Sequence, residues 1–135
     1  MSTIKTNTLT GTTSAGSIVV TGEGGSTTTN LQQGLAKVWS NQMTGTANDS
    51  FNSSGITDNG TGDFTVGFTN AMSNVNYSST LGGADANTNN SVLILNNSGL
   101  AGGYATGAIN YFLANEDNGA TDYGPTAVTI HGDLA

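Results

Sequence analysis

Carboxylates and one histidine are the main side chains of this 135-residue sequence that could do acid–base chemistry. It has nine aspartates and glutamates, no cysteine and a single histidine, His131. Nothing in the sequence resembles a nucleophile–base–acid set, so we interpret His131 as a structural or interface residue. A glycosidase needs two carboxylates about 5–9 Å apart across a cleft. Most of these carboxylates lie in turn-rich segments of a chain that is short for a cleft, so we expect no enzyme.

Acidic residues also cluster at two places where they could bind a cation. Asp58 and Asp63 frame a turn, and Glu116, Asp117 and Asp122 crowd a later loop. Calcium prefers such oxygen ligands, but the spacing does not fit the helix–loop–helix calcium template, and aspartate also stabilises turns. We predict no resident metal and no cofactor, and leave open a bound cation in the second loop.

The charge balance excludes several classes of partner. The net charge is −7 with only two lysines, and charged residues make up 8% of the chain, against about 25% in an ordinary soluble domain. Nucleic acid binding depends on basic side chains, and so does a polybasic membrane anchor. No apolar stretch is long enough to span a membrane. The sequence therefore predicts no nucleic acid partner and no membrane partner.

The second half of the chain has the pattern of an antiparallel β domain, which we place at 49–135. Phe64, Val66 and Phe68 alternate with smaller or polar residues, which predicts a strand with one apolar face. Asn59-Gly60 is a strong turn dipeptide. The predicted strands are 50–56, 63–68, 75–81, 91–96, 104–114 and 126–131. We predict a mainly β fold, an antiparallel β-sandwich or open barrel with an extended N-terminal arm and one short helix.

The short helix is predicted over 28–40, within a segment that we bound at 28–42. Leu31, Leu35 and Val38 recur at helical spacing, and Trp39 borders their stripe. So short a helix is marginal alone and must pack on something. Two interpretations remain open: it packs on its own β domain, or these four residues form an oligomer axis.

Residues 1–27 are rich in threonine, glycine and serine. Their apolar residues fall in two islands separated by polar and glycine-containing sequence, at 4–9 and 17–21. They could form a flexible linker, but β-rich islands suit strand addition to a neighbour. We therefore predict an extended arm that attaches the chain by adding strands to a neighbouring chain. Its contact residues are Ile4, Leu9, Ile18, Val19 and Val20.

Polar loops at 82–90, 97–103 and 115–124 would form the outer surface of the β domain. Tyr104 and Tyr123 are the aromatic residues nearest these loops. An aromatic ring offers an apolar face and a polar tip, so we consider glycan contact at these two residues. The alternative is that the loops are solvated turns.

Four segments carry a resemblance to a known group of proteins. They are distributed along the chain, and they read IVVTGEGGSTTTNLQQGLAK (18–37), ITDNGTGDFTV (56–66), NAMSNVNY (70–77) and HGDLA (131–135). They resemble small structural proteins of marine tailed bacteriophages, tail-fibre-like or head-decorating. The resemblance implies a β-rich, often trimeric virion protein without catalytic residues. The first 13 residues lack a secretory signal, so we expect synthesis in the host cytoplasm.

Two structural roles follow from this resemblance. In the first, the chain is a homotrimeric tail-fibre-like appendage that docks by its arm to other virion proteins and projects its β domain, with host adhesion as a further role. In the second, it is a capsid decoration protein that clamps coat subunits. Copy number per particle separates the two.

Overall fold

The computed structural model divides the chain into two compact units, Met1–Leu35 and Ala36–Ala135. Residues 36–42, which we had assigned to the helix segment, belong to the second unit. The N-terminal unit, in turn, continues past residue 27, where we bound the predicted arm, as far as Leu35. The residues that the structure describes are 3–13, 18–22, 24–83, 92–95, 103–114, 119–122 and 124–135.

The N-terminal unit contains a two-stranded antiparallel sheet of β1 (Val19–Thr21) and β2 (Thr28–Asn30). The Gly22 N–H donates to the Thr27 carbonyl at 2.8 Å and closes the connecting loop. Gly25 in that loop has φ of +74°, a conformation that glycine adopts without steric cost. The predicted strand over 17–21 is thus confirmed at β1, whereas the described residues 3–13 contain no strand.

A single helical turn, α1 (Leu31–Gly34), follows β2 directly. Asn30 is its N-cap: Oδ1 accepts the backbone N–H groups of Gln32 at 2.8 Å and Gln33 at 3.4 Å. These are donors that the start of a helix leaves without an intrahelical partner. Leu35 has extended backbone angles and ends the turn.

The helix predicted over 28–40 is wrong except for α1. Strand β2 precedes α1, and strand β3 (Ala36–Met43) follows it. β3 buries Val38, Ser40 and Gln42 at alternate positions, the period of two expected of a strand. Three apolar residues at helical spacing are too few to distinguish a helical period from a strand period.

The C-terminal unit is built from two antiparallel sheets in a sandwich-like arrangement. The sheet orders are β4-β3-β11-β7 and β5-β6-β10-β8, with β9 also paired to β10. This confirms the predicted mainly β class with one short helix and, of the two predicted architectures, the sandwich. The remaining strands are β4 (Thr46–Phe51), β5 (Ser53–Gly60), β6 (Asp63–Phe68), β7 (Ser78–Gly83), β8 (Val92–Leu95), β9 (Tyr104–Ala105), β10 (Ala108–Ala114) and β11 (Pro125–His131).

The predicted strands match most of these elements, with two differences of physical interest. The strand predicted over 50–56 is interrupted at Asn52, whose φ of +54° separates β4 from β5. Strand β5 then continues through Asn59 and Gly60, and the reversal occurs at Thr61-Gly62. Asn59-Gly60 is therefore the end of a strand and not the turn that we predicted.

The core lies between the two sheets and is formed by aliphatic and aromatic side chains. Its members are Val38, Phe64, Val66, Phe68, Met72, Tyr77, Ile109, Tyr111, Leu113, Val128 and Ile130. A polar group also lies inside: the Gln42 amide donates to the Tyr111 hydroxyl, which is 2.9 Å from Thr126 Oγ1. Lys37, one of the two lysines, is only 5% exposed.

Candidate assembly surface

Large apolar side chains are exposed along the N-terminal unit. Ile4, Leu9, Val19, Val20 and Leu35 are all exposed, with Leu9 at 55% and Leu35 at 54%. Four of these five are residues that we predicted for attachment. Their apolar surface is available for burial against another chain, which stabilises a complex roughly in proportion to the area removed from water.

An open groove of about 210 Å³ runs through this unit. Its lining residues are Leu9, Ile18, Leu31, Gln32 and Leu35, so four of the five are apolar. The groove is held together by the backbone, since the Leu31 N–H donates to the Ile18 carbonyl at 2.9 Å. Two residues predicted for attachment and two predicted for the oligomer axis thus form one surface.

A second groove of about 190 Å³ lies along the β1–β2 hairpin of the same unit. It is lined by Val20 and Gly22 from one side of the hairpin and by Thr27, Thr28 and Thr29 from the other. Threonine side chains offer both a methyl group and a hydroxyl. This part of the surface therefore presents hydrogen-bonding groups beside apolar ones.

Electric charge is distributed unequally between the two units. The sequence of residues 1–35 contains Lys5 and Glu23, which cancel. One lysine and eight carboxylates remain for residues 36–135, so the whole net charge of −7 belongs to the C-terminal unit. The apolar groove accordingly lies in the electrically neutral part of the chain.

The other two residues predicted for the oligomer axis do not join this surface. Val38 is completely buried in the sandwich core, so its assignment to an axis is wrong. Trp39 follows it on the opposite face of β3, partly buried, and stands opposite Phe51 in the register of β3 with β4. The reason is the strand alternation of β3, which sends neighbouring side chains to opposite faces.

Tyr104, predicted for glycan contact, packs against the sandwich core. Its ring centroid lies 4.9 Å from that of Tyr77 in an edge-on arrangement, and its hydroxyl is 3.0 Å from Ser79 Oγ. The Tyr77 hydroxyl donates to the carbonyls of Ala105 at 3.0 Å and Ala108 at 2.9 Å. Part of the Tyr104 ring remains accessible, so glycan contact there stays a prediction. Tyr123 lies outside the described residues.

The remaining described residues that could take part in acid–base or metal chemistry are spread over the sandwich. His131 ends β11, partly buried, and pairs with residues of β3 and β7. Asp122 accepts the Gly62 N–H at 2.6 Å, a contact with the turn that joins β5 to β6 and not with its own loop. Glu116 and Asp117 lie outside the described residues. Within the described ranges, no three histidine or acidic residues converge as they would to hold a metal ion.

The described part of the chain has no helix that is long and apolar enough to cross a membrane. Comparison of the sequence and fold with known protein families, with curated proteins and with solved structures gave no match.

The sequence carries only part of the signal that would locate the groove. Leu31 and Leu35 are apolar residues at the end of a low-complexity stretch that is neutral overall. Their helical spacing with Val38 extends across the boundary at residue 35. Charge does not mark that boundary, because the first charged residue after it is Lys37 and the first carboxylate is Asp49.

Proposed function

We propose that this chain is a structural virion protein that assembles through its N-terminal unit and presents the β-sandwich as a projecting module. The observation that carries the proposal is the concentration of exposed apolar side chains in a unit of zero net charge. The resemblance of four segments to phage structural proteins supports the choice of a virion. No catalytic role, cofactor, nucleic acid or membrane is part of the proposal.

Apolar burial supplies the free energy for this assembly. Burying a leucine or isoleucine side chain stabilises a complex by about 1.5–3 kcal/mol. Leu9, Leu31 and Leu35 share one groove, so a partner side chain inserted there would contact all three. Among the described residues, β1 and β2 form a two-stranded sheet, and an extended segment of another chain can add to such a sheet.

We propose that the assembling partners are further copies of this chain, with a trimer as the expected state, and other virion proteins at the docking end. Closed cyclic symmetry is the usual solution for identical subunits. The C-terminal units each carry a net charge of −7 and repel one another. Contact between copies through the neutral N-terminal units therefore costs the least electrostatic free energy.

Light scattering on the purified full chain tests the proposal. We expect an oligomer at micromolar concentration and a monomer for the double variant Leu9→Asp/Leu35→Asp. Both leucines are exposed, so the change should not unfold the monomer. Met43→Asp is the matched control, because Met43 is 45% exposed but belongs to the sandwich. A monomeric wild-type chain, or equal loss of association in the control, would overturn the proposal.

The number of copies of the chain per particle would indicate whether it belongs to the tail or to the capsid. A tail appendage is present in few copies, whereas a capsid decoration protein covers the head in many. Quantitative mass spectrometry of particles that contain the chain would give that number. Either result is compatible with assembly through the N-terminal unit.

A further inference from the structure

The Asn59-Gly60 dipeptide lies in a β-bulge at the end of the edge strand β5. The register of β5 on β6 shifts between Asp58 and Gly60, which leaves Asn59 as the extra residue. Both residues of the dipeptide are exposed to solvent. Asparagine followed by glycine is chemically labile, because glycine has no side chain to obstruct attack on the asparagine by the next backbone nitrogen.

Deamidation at this dipeptide has a defined course. The Gly60 backbone nitrogen loses its proton and attacks Cγ of Asn59, forming a new carbon–nitrogen bond. The bond from Cγ to Nδ2 breaks, and Nδ2 leaves as ammonia. Water then opens the succinimide ring and gives aspartate or isoaspartate.

Native hydrogen bonds hold both reacting groups in an unreactive state. The Gly60 N–H donates to Asp58 Oδ1 at 2.9 Å, so deprotonation would create a negative nitrogen beside a carboxylate, which like-charge repulsion disfavours. Asn59 Nδ2 donates to Thr65 Oγ1 at 2.9 Å and to Asp63 Oδ1 at 3.2 Å. The side-chain amide is thus fixed on the neighbouring strand.

These acceptors are themselves anchored in the interior of the sheet. Asn110 on the central strand β10 is 1% exposed, and its Nδ2 donates to Asp63 Oδ1 at 2.7 Å and to Thr65 Oγ1 at 3.0 Å. A network therefore extends over β5, β6 and β10. Separation of the β5 edge from β6 would release Asn59 from this network.

We propose that Asn59 is a deamidation site that the fold keeps unreactive, and that it converts when the β5 edge opens. Deamidation would also change the hydrogen bonding and the charge at this edge. A carboxylate at position 59 could no longer donate to Asp63, and it would add a third negative charge beside Asp58 and Asp63. Each conversion would weaken the pairing of β5 with β6, so the modified edge would not close as before.

Peptide mapping of the full chain after incubation at mildly alkaline pH tests this. We expect conversion of Asn59 in buffer to be at least about tenfold slower than in concentrated urea, because reaction is limited to the open state. Asn118-Gly119, the other such dipeptide in the sequence, gives the reference rate in urea. Equal rates for Asn59 in buffer and in urea would overturn the proposal.

Two variants test the mechanism of protection separately. Asp58→Ala frees the Gly60 N–H, and Thr65→Val removes one acceptor of the Asn59 amide. Each variant should deamidate at Asn59 several-fold faster than the wild-type chain in buffer and at the wild-type rate in urea. Thr57→Val, on the same strand, is the control and should change neither rate. The two variants act on different atoms, so if one of them folds poorly, the other still tests the protection. If the folded variants deamidate at Asn59 no faster than the wild-type chain in buffer, the proposal is wrong.

Discussion

Tyr77 shows how burial makes a single side chain sensitive to pH. Desolvation by burial raises the pKa of Tyr77 from 10.0 to about 12. The folded state therefore holds the hydroxyl proton more tightly than the unfolded state does. The stability that this contributes is complete below pH 10 and is lost as the pH rises towards 12.

We accordingly expect the urea midpoint of the wild-type chain to fall between pH 10 and 12. In Tyr77→Phe, which has no proton to lose at this position, the fall should be shallower. Burial also raises the pKa of Tyr111, but that residue is present in both proteins and its effect cancels. Equal slopes would contradict the assignment. Urea unfolding followed by tryptophan fluorescence measures both slopes.

Asn52 combines an uncommon backbone conformation with several side-chain hydrogen bonds. Its φ is +54°. Its Nδ2 donates to the carbonyls of Lys37 at 3.0 Å and Asn70 at 3.1 Å. Its Oδ1 accepts the backbone N–H of Asn70 at 2.8 Å. One side chain thus connects the β4–β5 corner to two distant segments.

Substitutions at Asn52 should separate these two contributions. Asn52→Gly keeps the backbone conformation and loses the hydrogen bonds, each worth about 0.5–1.5 kcal/mol. We expect it to lower the free energy of unfolding by about 2 kcal/mol. Asn52→Ala should cost about 1–2 kcal/mol more, because alanine is disfavoured at positive φ. An alanine variant as stable as the glycine variant would argue against backbone strain at this corner.

At the level of elements, the last residues of the chain close against the segment before β7. Met72 and Leu134 form an antiparallel bridge, and the Ser73 N–H donates to the Asp133 carbonyl at 2.8 Å. Gly132 makes this approach possible. A β-carbon there would lie 2.7 Å from Tyr77 Cβ and 2.8 Å from the terminal methyl of Met72.

We expect Gly132→Ala to destabilise the fold by about 1–3 kcal/mol, the usual cost of overpacking. The Met72 side chain can move, but Tyr77 Cβ is fixed by its own backbone. Gly82→Ala is the matched control, since a β-carbon at Gly82 meets nothing within 4 Å. Differential scanning calorimetry on both variants measures the difference. If Gly132→Ala were as stable as Gly82→Ala, the C-terminal residues could shift away from Tyr77 without loss of stability.

Elements were predictable from the sequence where local pattern and tertiary packing agree. Strand Asp63–Phe68 is an example, because its apolar residues alternate and all three are buried. β3 was missed because it buries Ser40 and Gln42, polar residues that hide the alternation. Burial of Gln42 depends on Tyr111, 69 residues away, which no local pattern can reveal. The exposure of Ile4, Leu9, Val19 and Val20 agrees with what apolar residues in a polar stretch suggest, and attachment through them stays a prediction.

For the whole molecule, the confinement of the net charge to the C-terminal unit determines how the proposed self-association should respond to salt. Added salt screens repulsion between the acidic C-terminal units, and the Debye length falls to about 8 Å near 0.15 M. We expect self-association to strengthen as salt rises from low to moderate concentration. Sedimentation velocity across a sodium chloride series measures this. Association that weakens with salt would mean that opposite charges hold the copies together.

The burial of Lys37 has a practical consequence for this chain. Trypsin cuts only after lysine or arginine, and the sequence offers just Lys5 and Lys37. Lys37 lies in a paired strand at 5% exposure, whereas Lys5 is exposed. The folded chain should therefore lose only its first few residues to trypsin, even after long digestion. Amine-reactive dyes or gold labels should likewise attach almost entirely within the N-terminal unit, which would mark that unit in each copy for imaging.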